Sequence, residues 1–211
     1  RAAGRARPAA CRRAPRRRSS PEPPDFSVSM KGWHSRGYLP HFDSPETSQF
    51  VTFRLVDSLP AEAIEKLRLA ATPLSDSDRD ALLDAGAGVC WLGRPEIAEI
   101  VEEALLHFDG KRYRLFARPV MPNHVHVLLE PHRDHSLGSI VSSWKRFTAR
   151  MANRMLGRAG PFWQDDYWNT YIRNERHFES TVGYIENNAV KAGLAKDVGD
   201  WPWTHVRRRG R

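Results

Sequence analysis

The stretch that decides the fold is Pro122-Asn123-His124-Val125-His126-Val127-Leu128-Leu129. Its alternation of polar and branched apolar residues predicts a β-strand. Successive side chains of a strand point to opposite faces, so His124 and His126 share one side and Val125, Val127 and Leu129 the other, where a core takes them. Two neutral imidazoles on one rigid face make adjacent ligands for a first-row divalent ion. A histidine pair on the exposed face of a half-buried strand has the same sequence, so a second observation is needed to choose. It comes about sixty residues on, at Gly183-Tyr184-Ile185-Glu186-Asn187-Asn188.

That second stretch lies in a helix predicted from Asn174 or Glu175 to Val190, with Gly193 as its stop. At 100° per residue Phe178, Val182, Ile185 and Ala189 form its buried stripe, and His177, Thr181, Tyr184 and Asn188 its flank. Tyr184 and Asn188 are one turn apart and point the same way. A tyrosine there is ordinarily a packing residue with a wet hydroxyl. Facing a metal site, its oxygen becomes a nucleophile for phosphorus, while the ion binds phosphate oxygens and stabilises developing charge. The amide oxygen of Asn188 is suited to complete a shell with His124 and His126.

Working outward, Gln49–Leu55 and Tyr113–Val120 read as strands, and Pro119 and Pro122 make the latter a hairpin or a broken strand with the histidine segment. Tyr167–Arg173 reads as a further strand. Helices are predicted over 61–71, over about 76–85, from Pro95 to about Phe108, and from the Ser136 cap to about Leu156. Trp201-Pro202-Trp203 packs the chain's end. The order gives an α+β, ferredoxin-like sandwich: an antiparallel sheet with helices packed on one face.

The chain has 211 residues and a net charge of +8, of which residues 1–24 supply +7 through eight Arg and one Glu. The high pI therefore describes the tail, and a nucleic-acid partner must be argued from local patches. Residues 1–29, rich in Arg, Ala, Pro and Ser, read as a disordered basic tail, with Met30 an alternative start. Residues 30–206 read as one domain and 207–211 as a basic C-terminal tail. Cys11 and Cys90 give no disulfide framework, and no apolar run approaches the roughly 18 residues of a membrane span. The expectation is a cytoplasmic protein, nucleoid-associated when bound to DNA.

The local patches are two. Trp33, Arg36, Tyr38 and His41 interleave aromatic and basic groups, which suits either base stacking with phosphate binding or plain packing of an irregular segment. In the helix after Ser136, Arg146, Arg150, Arg154 and Arg158 recur every four residues beside Lys145, with no acidic residue between Ser136 and Gln164. A solvated face normally mixes signs, whereas a stripe of one sign suits a phosphate backbone.

Taken in order, Pro-Asn-His-Val-His-Val-Leu-Leu, Ser-Trp-Lys, Phe-Trp-Gln-Asp-Asp-Tyr-Trp, Tyr-Ile-Arg and Tyr-Ile-Glu-Asn-Asn-Ala-Val-Lys-Ala-Gly-Leu resemble the single-tyrosine HUH transposases, and among them the REP-associated tyrosine transposases. The resemblance covers about residues 31–206. It implies a ferredoxin-like sheet and Mg²⁺- or Mn²⁺-dependent cutting of single-stranded DNA near hairpins through a 5′-phosphotyrosine link. By position it assigns His124 and His126 to the histidine pair, Tyr184 to the nucleophile and Asn188 to the third metal ligand. The DNA-binding set is Trp33, Arg36, Tyr38, Lys145, Arg146, Arg150, Arg154 and Arg173. Two departures stand out: Asn188-Ala189-Val190 replaces the usual Asn-Pro-Val, and Asn169 stands where Asp is common. Two other readings fit the same residues: a domesticated, non-catalytic DNA-binding protein of this fold, and a hydrolase whose nucleophile is water. The resemblance leaves monomer and homodimer both open.

Overall fold

The computed structural model describes residues 32–35, 40–44, 46–69 and 75–207. The readings placed on residues 1–29, on Arg36 and Tyr38, on the side chain of Trp33 and on residues 208–211 lie outside these.

Strands β1 (Gly32–Ser35) and β2 (Pro40–Asp43) form a small antiparallel sheet of their own. The main sheet has five antiparallel strands in the order β6-β3-β5-β4-β7: β3 Gln49–Arg54, β4 Tyr113–Pro119, β5 His124–Pro131, β6 Trp168–Tyr171 and β7 Thr204–Val206. Both β7 and the small sheet are absent from the sequence reading. Each is a short strand with no alternation long enough to register.

The histidine strand β5 is central and buried on both faces, as the alternation of its contacts shows. Val125, Val127 and Leu129 join a core with Val51 and Phe53 of β3, helix α3 (Pro95–Leu106) and helix α4 (Leu137–Met155). Leu128 joins a second core with Phe50, Phe116 and helix α5 (Glu175–Lys191), through Phe178, Val182 and Ile185. The expectation of helices on one face therefore holds for α3 and α4, whereas α5 covers the opposite face. Linking edge strand β6 to the other edge β7, it crosses the sheet on that face.

Local chemistry places the helix ends. Pro95 opens α3, Ser136 caps α4 by accepting from the Ser139 N–H, and Asn174 caps α5 by accepting from the His177 N–H at 2.9 Å. Between β3 and α3 stand α1 (Ala61–Leu69) and α2 (Asp76–Asp84), with Ser75 accepting from the Asp78 N–H at 3.1 Å. The end of α2 is fastened below it. The Asn123 amide donates to Leu83 O at 2.8 Å, and Asp57 accepts from Val89 N at 3.0 Å. Gly88 has φ +83° and sits so near the Asp57 backbone that a Cβ would come within 2.5 Å of its carbonyl oxygen, so no larger residue fits.

Candidate metal centre and tyrosine site

Directly opposed residues of an antiparallel pair share a face. The register Arg54↔His124, Thr52↔His126 and Phe50↔Leu128, continued by Thr52↔Trp168, lays His124, His126, Thr52, Arg54 and Trp168 on the α5 side. The two imidazoles do project together, but not onto an open surface: both are 0% exposed, because α5 and α2 close over them.

The hydrogen bonds orient both rings. Asn123 spends its amide N–H on Leu83 O, which leaves its Oδ1 to accept from His124 Nδ1 at 2.7 Å. A neutral His124 so held keeps its proton on Nδ1 and presents the Nε2 lone pair. His126 Nδ1 pairs with Thr52 Oγ1 at 2.8 Å, leaving its Nε2 facing His124 Nε2 at 3.0 Å. Two lone pairs that close repel unless a proton or a cation lies between them. Burial, and then the neighbouring His126, hold the His124 imidazole well below the ordinary histidine value, so it stays neutral and able to ligate.

Asp80 on α2 completes the cluster and has no counterpart in the sequence reading. Its Oδ2 lies 3.2 Å from His126 Nε2 yet makes no hydrogen bond, and it is buried. Ligand atoms of Asp80, His124 and His126 all fall within 4.8 Å of one another. The only sequence signal was Asp80 and Asp84 four residues apart on one helix. Nothing in that spacing shows that they meet β5. Burial and the charge of Asp80 push Asp84 up to about 6, with His126 and Lys191 acting against the rise.

Asn188 is 1% exposed and its Oδ1 has no hydrogen-bond partner. A buried amide oxygen without a partner costs about 1–3 kcal/mol, and an oxygen-seeking cation would satisfy it. The convergent carboxylate and two imidazoles fit a divalent ion that binds oxygen and nitrogen and not a thiolate-loving one, and the unpartnered Asn188 oxygen is of the same donor type.

Tyr184 stands beside this cluster, half-buried. Its ring lies 6.3 Å from the His126 ring and 6.0 Å from Phe50, and Lys191 Nζ lies 4.7 Å from its centroid. His124, His126 and Tyr184 thus stand together, with Asn188 one helical turn beyond Tyr184 on α5.

The predicted DNA-contacting arginines of α4 do not converge with them. Arg146, Arg150 and Arg154 are exposed, but α4 packs on the sheet face opposite the imidazoles. Lys145, by contrast, turns to the protein's own backbone. Its ammonium donates to Gln164 O at 2.6 Å and Asp165 O at 2.7 Å, and burial lowers it to about 8. It fastens the loop before β6, its protons taken by the backbone carbonyls of that loop. Arg173 is exposed at the start of α5, with its guanidinium 5.7 Å from the Tyr171 ring. His41, interleaved with the N-terminal aromatics, is 1% exposed and bonded to Asp166 at 2.9 Å and Asn169 at 2.8 Å. It ties the small sheet to β6 and packs on the Tyr167 ring.

The central strand carrying the histidine pair and the helix bearing Tyr184 and Asn188 both lie in the part of the chain that is similar to known proteins. Residues 94–188, from the start of α3 to Asn188, match the family model described as Transposase IS200 like. Among individual proteins, the chain is 31% identical over 116 residues to the REP-associated tyrosine transposase of Escherichia coli K12, covering 52% of this chain and 65% of that one. It is 28% identical over 99 residues, 42% of this chain and 56% of the other, to a Haemophilus influenzae chain named in the same group. The alignments thus span a little over half to about two thirds of these curated relatives. A REP-associated tyrosine transposase solved with a REP hairpin superposes at a TM-score of 0.49 with 20% identity, over 81% of this chain and 80% of that one. No helix among the described residues is long and apolar enough to cross a membrane.

Proposed function

We propose that this chain is a metal-dependent single-stranded DNA endonuclease and strand transferase, acting at hairpin-forming repeats through a 5′-phosphotyrosine link. The observation that carries the reading is the meeting of Tyr184 with a buried donor set: 6.3 Å from ring to ring with His126, and one helical turn from the unpartnered Asn188 Oδ1. His124, His126 and Asn188 would hold Mg²⁺ or Mn²⁺. Such an ion supplies Lewis-acid stabilisation of a phosphate and its orientation for in-line attack.

The chain's own groups do the rest. Asn123 fixes the tautomer of His124, and Thr52 holds the ring angle of His126. The Lys191 ammonium lies over the Tyr184 ring, where a cation offsets negative charge that develops on the oxygen during attack. The Tyr184 oxygen attacks phosphorus and gives up its proton, the bond from phosphorus to the 3′ oxygen breaks, and that oxygen leaves as a hydroxyl on taking up a proton. Attack by a 3′ hydroxyl on the phosphotyrosine reverses the step and rejoins strands. Exposed Arg146, Arg150 and Arg154 on α4, with Arg173, offer phosphate contacts for the hairpin. A strand held on α4 must pass around the sheet edge to reach Tyr184, so stem binding and cutting use separate surfaces.

The test is incubation with a hairpin-bearing single strand and Mn²⁺, followed by denaturing electrophoresis. The expected product is a protein–DNA adduct that is lost in Tyr184→Phe. An adduct surviving in that variant refutes the mechanism. The non-catalytic DNA-binding alternative draws on one observation, the 0% exposure of both imidazoles. Hairpin binding with no cleavage by the parent protein in Mn²⁺ would favour it.

A further inference from the structure

Helix α2 covers the imidazoles and brings Asp80 against them, although α2 comes from outside the 94–188 segment shared with the IS200-like family. We propose that Asp80 is a further protein ligand of the divalent ion, and that ion binding latches α2 over the centre as a lid which the substrate must lift. This rests on the metal-dependent reading above.

The geometry supports it from three sides. First, a small ion such as Mg²⁺ binds oxygen and nitrogen at about 2.1 Å in near-octahedral array, which sets neighbouring ligand atoms about 3.0 Å apart. The pair His124 Nε2 and His126 Nε2 is separated by 3.0 Å, and His126 Nε2 and Asp80 Oδ2 by 3.2 Å. Second, Asp80 Oδ2 is buried and takes no hydrogen bond. An ionised carboxylate in that position is costly unless a cation meets it. Third, the only buried residues described on α2 are Asp80 and Leu83. Besides Leu83, α2 meets the rest of the protein through polar and charged side chains, Asp80 against His126 and the Arg79 guanidinium 5.5 Å from the Trp168 ring. Its C-terminal end stays fastened through the bonds from Asn123 and to Asp57, which makes that end the pivot.

The lid follows from access. A DNA phosphate cannot approach imidazoles with no exposure, so one wall must open. Helix α5 buries Phe178, Thr181, Val182, Ile185, Asn188 and Ala189, and moving it would empty a core. Moving α2 withdraws one buried leucine, Leu83, and otherwise polar groups that water can solvate: the Asp80 and Asp84 carboxylates and the Arg79 guanidinium over Trp168. The carboxylate of Asp80 then occupies, in the closed form, a coordination position that a phosphate oxygen can take in the open one.

The experiment follows amide hydrogen exchange across residues 76–85 of the whole chain during a Mn²⁺ titration, alongside Mn²⁺ affinity by calorimetry. The parent, Asp80→Ala and Asp80→Asn are compared, the second variant keeping the side-chain volume, and unfolding midpoints in EDTA establish that each is folded. In the parent, saturating Mn²⁺ is expected to slow exchange in α2 at least tenfold. In the variants Mn²⁺ still binds, at least tenfold more weakly, and α2 exchange no longer responds. Unchanged Mn²⁺ affinity in both variants, or α2 protection equal to the parent's, overturns the latch alone. Failure of the parent to bind Mn²⁺ overturns the metal-dependent reading, and the latch with it.

Discussion

Replacing Asn188 by alanine separates an ordinary buried amide from a metal ligand, because the two roles give opposite signs without metal. Truncating a satisfied buried amide costs about 1–3 kcal/mol. Here Oδ1 is buried with no partner, so Asn188→Ala removes a penalty of that same size. It gains about 0.6 kcal/mol of helix propensity in mid-α5 and loses about 1–2 kcal/mol of packing. The sum in EDTA runs from a loss of about 0.4 kcal/mol, close to no change, to a gain of about 2.6 kcal/mol. With Mn²⁺ at about a hundredfold above its dissociation constant, the parent gains about 2.7 kcal/mol, and a variant binding tenfold more weakly gains about 1.4. At about 2–4 °C per kcal/mol for a chain of this size, the Mn²⁺-induced rise in Tm should shrink by about 3–5 °C. Thermal unfolding in EDTA and in Mn²⁺ reads both quantities. Clear destabilisation in EDTA, or an identical Mn²⁺ increment in both proteins, refutes the assignment of Asn188.

Other consequences can be measured the same way. His124 is kept neutral in the fold, whereas in the unfolded chain it titrates near 6.5. Below about pH 6.5 the unfolded state therefore binds more protons, and stability falls by up to about 1.4 kcal/mol per pH unit. Asp84, raised to about 6, works the other way below that pH, so the signal is the difference between parent and His124→Gln in urea midpoints in EDTA, and parallel curves would contradict it. Arg150→Ala should weaken hairpin binding across sequences and lower the salt slope of log K by about 1, measured by fluorescence anisotropy. Lys145→Ala should leave that slope unchanged while costing about 2 kcal/mol in a urea titration, because its protons serve the carbonyls of Gln164 and Asp165. A fall in salt slope on removing Lys145 would return it to the DNA surface.

The sequence by itself determined the strand that carries His124 and His126, the helix that aligns Tyr184 with Asn188, and the caps at Ser136 and Asn174. These follow from periods of 2 and 3.6 residues and from side chains that bond their own backbone, so neighbours along the chain suffice. It also showed an arginine stripe, since spacing alone puts Arg146, Arg150 and Arg154 on one helix face. Only the tertiary structure decided which faces meet. That α5 crosses the sheet on the imidazole side, that α4 sits on the other, that Lys145 closes on a loop, and that Asp80 comes down beside His126 are all long-range pairings. No local period encodes them, because a helix with two carboxylates one turn apart reads the same whether it faces water or a buried histidine pair. The exposure of the imidazoles went the same way: alternation fixed which side of β5 they occupy, and the packing of α2 and α5 decided that this side is closed.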